Sequence, residues 1–446
     1  MANPIVSKSA ESSYIERVDI VSNKSPDKTV SVINGAVRLM YYESILQDTI
    51  RTTYTFADSG NTIDDKTALE GLPIVGQEKV HLKFKDNNDN TLDLVLYVNK
   101  VTPLVEDTTK SMVQIELVSK EFIMNEKVRL NTRFDGKISD HIKKILTDQN
   151  YLATKKKTDI EETSNNYNFI GNNRKPYYSM NWLSKKAVPN FAQAKGNTAG
   201  YFFFETSEGF KFKSIDSLLS QEKKKSIIFN QTPDSRGKNI PAGYDAKALD
   251  YSKDNKVDVQ EKLKMGSFSS RTILFDPFNC YYEVVVPNAK EKEKSLKKAG
   301  KELPTLNPEF NQTGANKDFS RTTYYLLDKG TLPSGNTQQQ IDKSKEENFE
   351  YKNILNQSIM RYNQLFSLKS TITIPGDFSL HAGDAVFVDS KELALADENI
   401  NKEYGGLYII ADLCHYISPK ETYTKLNLVR DSFGRVGNHT SGSIPL

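Results

Sequence analysis

One glycine-containing loop has the spacing that could hold a phosphate. Gly71-Leu72-Pro73-Ile74-Val75-Gly76 matches the glycine positions of a phosphate-binding loop. Gln77 and Glu78 stand where that loop needs lysine and then serine or threonine to hold phosphates and magnesium. Because the next residues are wrong for that chemistry, the pattern indicates an ordinary loop.

A second stretch begins like a calcium-binding loop. Asp86, Asn88 and Asn90 have the alternation of oxygen ligands that such a loop uses. Thr91 replaces the required glycine, and Tyr97 falls where a bidentate glutamate should stand. We therefore interpret this stretch as a hairpin turn without a metal.

Two histidines have a possible catalytic partner close to them in the sequence. They are His381 with Asp384 and His415 beside Cys414. Nucleophilic catalysis needs a nucleophile, a base and an orienting group within hydrogen-bond reach, and neither a Gly-x-Ser-x-Gly nor a His-Glu-x-x-His sequence is present. We expect these histidines to be strand-end or interface residues, and we predict no catalytic residue, no metal site and no cofactor. With 57 acidic residues, a glycosidase pair of carboxylates stays open.

Composition limits the class of protein. The chain has 446 residues, more than one ordinary core accommodates, with 37% hydrophobic residues. Its net charge of +3 is not the footprint of a dedicated nucleic-acid binder. Two cysteines far apart, Cys280 and Cys414, favour buried thiols and cytosolic assembly over a disulfide framework. We find neither a signal peptide nor an apolar run of about 18 residues, so no membrane span is expected.

The first part of the chain predicts a cluster of short antiparallel strands. Residues alternate between apolar and polar, and turn residues such as Asn34-Gly35 separate the runs. Seven strands at this spacing predict a closed barrel or a sandwich. The predicted strands are Tyr14 to Val21, Val30 to Ile33, Val37 to Ile45, Thr52 to Ala57, Val80 to Phe84, Leu92 to Val101 and Met112 to Val118.

The middle of the chain has a different pattern. Helical spacing predicts a helix from Ile138 to Leu146, with Ser139 or Asp140 as its cap, and a shorter helix from Asn181 to Val188 that Pro189 stops. The aromatic run from Gly200 to Glu205 predicts one strand of a hairpin with Gly209 to Lys213, although it could also be a base-stacking platform.

Four further strands follow near the end of the chain. The β-branched run from Thr371 to Ile374 ends at Pro375 and Gly376, which predict a turn. The chain restarts after Gly383 and Asp384, and two-residue alternation continues to Arg430. These four turn residues are structural candidates, and a glycine that needs a positive φ would not tolerate a β-branched residue.

The order of these patterns resembles that of a known family. The sequence runs Pro-Gly, Leu-x-Ala-Gly-Asp, Gly-x-Tyr-Ile-Ile, His-x-Ile-Ser and Thr-x-Leu-x-Leu-Val-Arg-Asp-Ser-x-Gly, and upstream it includes Tyr42-Glu43-Ser44-Ile45-Leu46 and Asn181-Trp182-Leu183. In this order it looks like the baseplate hub proteins of contractile-tailed phages, especially the T-even type.

The resemblance implies a fold and a role. It implies two tail-tube-like antiparallel β-barrels in a mainly β chain with α+β parts, so that a homotrimer presents six barrels in a ring. Such a trimer would join the hexameric tail tube to the trimeric cell-puncturing spike, which carries the tail lysozyme, and would contact other baseplate proteins. DNA would pass through the lumen without sequence-specific binding. The implied location is the baseplate of the virion, after assembly in the host cytoplasm.

Combining these patterns divides the chain into five parts. Gly434, Arg435 and Val436 begin the polar C-terminal tail and are candidates for spike contact, because a disordered terminus can order on a partner. The predicted parts are a first barrel (1–122), an α/β domain (123–198), a second barrel (199–232 and 320–432), an insertion of uncertain fold (233–319) and the tail (433–446).

Two other functions are compatible with the sequence. One is a tail-associated enzyme that degrades peptidoglycan, and the other is a glycan- or nucleic-acid-binding module that uses the aromatic run. Cell-wall zymography discriminates the first, and salt-dependent DNA binding or a glycan screen discriminates the second.

Overall fold

The structure is a computed structural model of the chain. It describes residues 13–60, 66–106, 110–190, 198–229, 240, 243–254, 259–268, 270–277, 280–286, 296–310, 320–327, 336–345, 348, 351–390 and 403–436.

The first strand cluster is an antiparallel sheet of seven strands, and all seven predicted strands are confirmed. In β5 buried residues alternate with partly exposed ones, as its apolar and polar residues alternate. The pairing order is β2-β1-β5-β6-β7-β4-β3. The strands are β1 (Tyr14–Val21), β2 (Thr29–Ser31), β3 (Ala36–Ser44), β4 (Arg51–Asp58), β5 (Lys79–Lys85), β6 (Thr91–Glu106) and β7 (Ser111–Val118), and the short helix α1 (Ala68–Gly71) precedes β5.

The middle of the chain combines helices with small sheets. The predicted hairpin is confirmed as β11 and β12, and β9 joins it in parallel. The first predicted helix is confirmed as α3, but Ser139 and Asp140 do not cap it, because the N-cap residue is Lys137. The elements are α2 (Lys120–Lys127), β8 (Arg133–Phe134), α3 (Ile138–Thr147), β9 (Thr158–Ile160), β10 (Phe169–Ile170), α4 (Pro176–Ser184), β11 (Tyr201–Thr206), β12 (Gly209–Ser214) and α5 (Ile215–Ser220).

The second predicted helix of this region was placed too late in the chain. Helix α4 begins at Pro176, where the missing N–H of proline is no loss, and it ends at Ser184, well before Pro189. Pro189 is therefore not the residue that stops it.

The remaining elements form a second strand cluster and a separate three-stranded sheet. The order of the separate sheet is β17-β16-β18. Strands β16 and β17 lie in the region predicted as an insertion, whereas β18 lies in the stretch predicted as part of the second barrel. The elements are β13 (Lys225–Phe229), β14 (Ala246–Lys247), β15 (Asp250–Asp254), α6 (Val259–Met265), β16 (Ser270–Asp276), β17 (Tyr281–Val285), β18 (Arg321–Leu326), α7 (Thr337–Lys345), α8 (Tyr351–Leu365), β19 (Leu368–Pro375), β20 (Ala385–Ser390), β21 (Gly406–Ile417) and β22 (Thr422–Arg430).

The two strand clusters are parts of one open sheet and not two closed barrels. The second cluster contains β13, β14, β15, β19, β20, β21 and β22, and it joins the first through β21 and β3 to make a 14-stranded sheet. The prediction of closed barrels is therefore wrong for the described strands. The edge of β3 that could have closed the first cluster pairs instead with β21, and β13 runs parallel to β14 and β20. The predicted domain boundaries stay predictions.

One apolar core serves both clusters. It joins Val18, Phe84 and Ile115 of the first cluster to Ile372 and Leu426 of the second, and each of these side chains is 0% exposed. A second core lies under the middle elements, where Tyr201, Phe203, Phe210 and Phe212 of β11 and β12 pack with α3 and α4. The aromatic run from Tyr201 to Phe204 is buried, so it forms strand core and not an open stacking platform.

Candidate functional site at the junction of the two strand clusters

The two strand clusters meet where β3 and β21 pair side by side. The register runs from Asp412 opposite Ser44 to Ile417 opposite Leu39. The first half of β21 pairs with β20 and its second half with β3, while β22 follows its other edge. Ser44 Oγ also donates a hydrogen bond of 2.5 Å to Asp412. The junction therefore fixes the register of the two clusters through backbone and side-chain hydrogen bonds.

A buried carboxylate at this junction collects donors from three segments. Glu43 is 1% exposed. Its Oε1 accepts hydrogen bonds from Tyr41 Oη (2.7 Å) and the Ser207 backbone N–H (2.8 Å), and its Oε2 accepts from the Ala382 backbone N–H (2.9 Å). His381 Nδ1 lies 3.3 Å from Oε1. Burial favours the neutral acid, but the hydrogen bonds and charge of His381 with the other donors outweigh it and hold the pKa of Glu43 at about 2.

His381 is the cationic partner of this carboxylate. Burial alone would lower the pKa of His381, but the hydrogen bond and charge of Glu43 raise it above the ordinary value for histidine. Its Nε2 lies 3.8 Å from a carboxylate oxygen of Glu208. The pair joins β3 of the first cluster to the turn before β20 of the second, so it is an ionic tie between the two clusters.

The turn that carries His381 contains two of the predicted structural residues. Gly383 has a φ of +86°, and its N–H donates to the Ile410 carbonyl at 2.8 Å. Asp384 Oδ2 accepts from the His381 backbone N–H and from Lys224 Nζ, both at 2.8 Å. The turn is therefore fixed by hydrogen bonds to its own backbone, to β21 and to the segment before β13.

The other two predicted turn residues end β19. Pro375 is the last residue of β19 and lies opposite Tyr423 of β22. Gly376 does not have a φ in the left-handed region, but a Cβ there would lie 2.5 Å from Thr422 Cγ2. Gly376 is thus required by the close approach of β22, and not by its backbone conformation.

Replacing Gly383 with valine is expected to lower the free energy of unfolding by about 3 kcal/mol. The new residue would be forced into a left-handed conformation, and its Cβ would lie 2.8 Å from Phe204 Cζ. Gly60→Val is the matched control, because Gly60 has a φ of +87° but, apart from its chain neighbours, no described atom within 4 Å of a new Cβ. We expect the control to lose only the conformational part, about 1 kcal/mol. Denaturant unfolding of both variants measures the difference, and equal losses would contradict the proposed clash with Phe204.

His415 and Cys414 lie next to each other on β21 but are unsuited to acid–base chemistry. His415 is 0% exposed, its Nδ1 lies 2.9 Å from Thr424 Oγ1, and burial lowers its pKa to about 3. Burial raises the pKa of the Cys414 thiol to about 11. Near neutral pH neither a thiolate nor an imidazolium is favoured. His415 belongs to the strand core, whereas Cys414 is partly buried and Cys280 is exposed, so the expectation of buried thiols is wrong.

The loop with phosphate-binding spacing already holds an anion of its own. The Glu78 carboxylate is fully buried and accepts hydrogen bonds from the backbone N–H groups of Val75 (2.8 Å) and Gly76 (2.9 Å). The backbone N–H groups that would bind a phosphate therefore already bind the Glu78 carboxylate. The loop is structural.

The calcium-like stretch forms the turn between β5 and β6. Asp86 Oδ1 accepts from the backbone N–H groups of Asn88 and Asn90 at 2.8 Å, and Asp86 Oδ2 accepts from the Phe378 N–H at 2.8 Å. The carboxylate therefore shapes the turn and ties it to the segment after β19. Among the residues the structure describes, no group of three or more histidine, cysteine, aspartate or glutamate side chains could hold a metal ion.

The predicted spike-contact residues pack against the fold. Gly434 has a φ of +77°, and Arg435 Nη2 forms an ion pair of 2.9 Å with the buried Asp389. Arg435 also lies over the Phe387 ring, whereas Val436 is 48% exposed. The first residues of the predicted tail are therefore anchored, and residues 437–446 lie outside the described part of the chain.

Sequence patterns missed a buried charge cluster that joins distant segments. Arg361 lies between Asp216 (3.1 Å) and Asp431 (3.0 Å), and each of the three side chains is at most 2% exposed. One signal was available: Ile354, Arg361 and Leu365 share the helical spacing of one face of α8, so the arginine had to lie on the buried face.

Comparisons with solved structures show which known proteins have a similar fold. No protein-family model matches the chain, and no curated protein is similar to it in sequence. A tail protein from Neisseria meningitidis MC58 is similar over 94% of this chain and 97% of its own, with a TM-score of 0.51 and 10% identity. The 43 kDa tail protein of prophage MuSo2 from Shewanella oneidensis is similar over 93% and 98%, also with a TM-score of 0.51 and 10% identity.

These similarities concern the fold along nearly the whole chain. The protein has the fold of phage tail proteins, so the resemblance predicted from the sequence is confirmed at the level of the fold. In the part of the chain that the structure covers, no helix is long and apolar enough to cross a membrane.

Proposed function

We propose that the chain is a structural subunit of the baseplate hub of a contractile phage tail. In this proposal a homotrimer joins the hexameric tail tube to the trimeric spike, which carries the tail lysozyme, and contacts other baseplate proteins. DNA passes through its lumen without sequence-specific binding. The subunit is not an enzyme, is assembled in the host cytoplasm and belongs to the virion.

The continuous 14-stranded sheet is the observation that carries the proposal. It contains seven strands from each of the two clusters, joined through β3 and β21. Three such chains present six strand clusters, and the number of units in a closed ring must fit its rotation. A chain with two linked clusters can therefore meet six-fold symmetry on one side and three-fold symmetry on the other.

The purified protein is expected to have a mass three times that of the 50.5 kDa chain. Light scattering coupled to size-exclusion chromatography measures the mass, and negative-stain images of the same peak should show six lobes around a pore. A monomer that binds neither tube nor spike proteins would contradict the proposal. A lysis band in zymography on cell-wall material would contradict its non-enzymatic part.

The C-terminal tail is the proposed contact with the spike. Arg435 is tied to Asp389, which fixes the position of the last residues that the structure describes. A chain shortened after Val436 keeps this anchor and should form the trimer with weaker binding to the spike protein. Unchanged spike binding would exclude residues 437–446 from the contact and leave Gly434, Arg435 and Val436 as its candidates.

A further inference from the structure

Among the residues that the structure describes, the separate sheet β17-β16-β18 packs against the rest of the protein through one face. Leu274 is 6% exposed and belongs to the core under the middle elements, with Val285 and Tyr325 packed beside it. The buried Lys186 donates from its Nζ to Tyr325 Oη at 2.7 Å. This face is therefore held firmly in place.

The opposite face presents aromatic and aliphatic side chains to solvent. Its residues form two rows across the strands, Leu326–Phe275–Tyr282 and Tyr324–Ile273–Val284. The two rows are two residues apart along each strand. Because the side chains of a strand alternate between its faces, both rows lie on the same side of the sheet. We call these six residues the open face. Exposure is 78% for Tyr324, 65% for Tyr282, 64% for Leu326, 46% for Val284 and 40% for Phe275.

The open face is large enough to be the centre of an interface. With aromatic side chains of about 200 Å² each, it exposes on the order of 500 Å² of apolar surface. Apolar patches of this size on soluble proteins commonly mark a protein contact, and one partner of a standard interface contributes about 800 Å². None of its six residues is charged, so these side chains bring no charge of their own into a contact.

A second apolar element protrudes from another part of the same chain. Pro103, Leu104 and Val105 near the end of β6 are exposed one after another, at 46% for Leu104 and 53% for Val105. The pairing with β7 is irregular between Pro103 and Val105. A strand that lies on a core buries alternate residues, so this end of the hairpin stands clear of the core. We call residues 103–105 the apolar arm.

The symmetry of a trimer decides how these two surfaces are used. Two open faces that met each other would form a two-fold contact, which makes pairs. A ring of three needs a contact between two different surfaces of the chain. We propose that the apolar arm of one subunit packs on the open face of the next, and that this contact helps to close the ring. The inference rests on the trimer proposed above.

Two double variants test the contact from both sides. Tyr324→Ser with Leu326→Ser removes apolar area from the open face, and Leu104→Ser with Val105→Ser removes it from the apolar arm. Each pair is expected to raise the dissociation constant of the trimer at least tenfold, measured by light scattering over a dilution series. Val75→Ser is the control, because Val75 is 70% exposed and belongs to neither surface. Circular dichroism melts of all variants show whether they remain folded.

Crosslinking identifies the direction of the contact. Val105→Cys and Tyr324→Cys proteins are prepared separately in a Cys280→Ser background, since Cys280 is exposed. With a short bismaleimide, a mixture of the two should give a crosslinked dimer, whereas each protein alone should not. A dimer from Tyr324→Cys alone would show that two open faces meet and would overturn the proposal.

The inference and the proposed function can fail separately. A trimeric wild type whose double variants stay trimeric, with no crosslink in the mixture, would overturn the arm-and-face contact and leave the trimer standing. A wild type that is monomeric at all concentrations would remove the trimer and the contact together.

Discussion

Replacing Arg361 with leucine should lower the free energy of unfolding by about 4 kcal/mol, because it leaves two buried carboxylates without their cation. The guanidinium bonds Asp431 through Nη1 at 3.0 Å and Asp216 through Nη2 at 3.1 Å. Nη2 also donates to the Lys297 carbonyl at 2.7 Å. One side chain thus ties α8 to α5, to the residue after β22 and to the segment around Lys297.

The neutral triple variant separates the lost charge from the lost packing. Arg361→Leu with Asp216→Asn and Asp431→Asn removes all three charges, so we expect it to regain part of the stability that Arg361→Leu loses. Urea unfolding of both variants and wild type measures the free energies. A loss below about 1 kcal/mol for Arg361→Leu, the range of exposed pairs, would show that the cluster is solvated and that our description of it is wrong.

Replacing Glu43 with glutamine should lower the free energy of unfolding by about 3 kcal/mol near pH 6, because it breaks a buried ion pair at the junction. Glutamine keeps one acceptor oxygen, but it cannot accept from Tyr41, Ser207, His381 and Ala382 as the two carboxylate oxygens do. Glu126→Gln is the control, since Glu126 forms an exposed pair with Lys175 and should change the stability by less than about 0.5 kcal/mol.

The same pair makes a signed contribution to the pH dependence of stability. The pKa of Glu43 is lowered to about 2 in the folded protein, so its contribution is complete above its unfolded pKa and is lost as the pH falls toward 2. The pKa of His381 is raised, so its contribution is complete below its unfolded pKa of about 6.5 and is lost as the pH rises through the folded value. The pair therefore stabilises most between about pH 4.5 and 6.5.

His381→Gln isolates the alkaline limb of this dependence. His415, whose pKa is lowered to about 3, contributes stability that is lost as the pH falls below about 6.5, so its effect lies on the acid side and is common to both proteins. Between pH 6.5 and 9 the wild type should lose more stability than His381→Gln, with a slope difference of at most about 1.4 kcal/mol per pH unit. Parallel curves over this range would contradict the proposed ion pair.

Much of the fold was predictable because local patterns match local structure. The alternation in β5 and β22 predicted both strands, and the aromatic run with its glycine turn predicted the hairpin of β11 and β12. The cap of α3 was not predictable in this way. The Thr163 Oγ that accepts from the Ser139 N–H comes from a segment 24 residues away. Propensity alone favoured Ser139 or Asp140 as the cap.

The site was less predictable because its partners are far apart in sequence. Glu43 lies on a strand whose neighbours suggested only alternation, and its partner His381 is 338 residues away. The sequence suggested Asp384 as the partner of His381, but Asp384 accepts from the backbone N–H of His381, and the carboxylate beside its ring is that of Glu43. The prediction of closed barrels was wrong for the same reason. The free edge of β3 pairs with β21, a strand near the other end of the chain, and no local pattern in the sequence shows this pairing.

The pairing of β3 with β21 also has a mechanical consequence. A force that pulled the two strand clusters apart along these strands would load the hydrogen bonds from Asp412–Ser44 to Ile417–Leu39 in shear, so that several must break together. Peeling from one end would instead break them one at a time, but β22 supports β21 along its other edge over the same residues. The junction is therefore expected to resist sliding of one cluster along the other more strongly than peeling from one end.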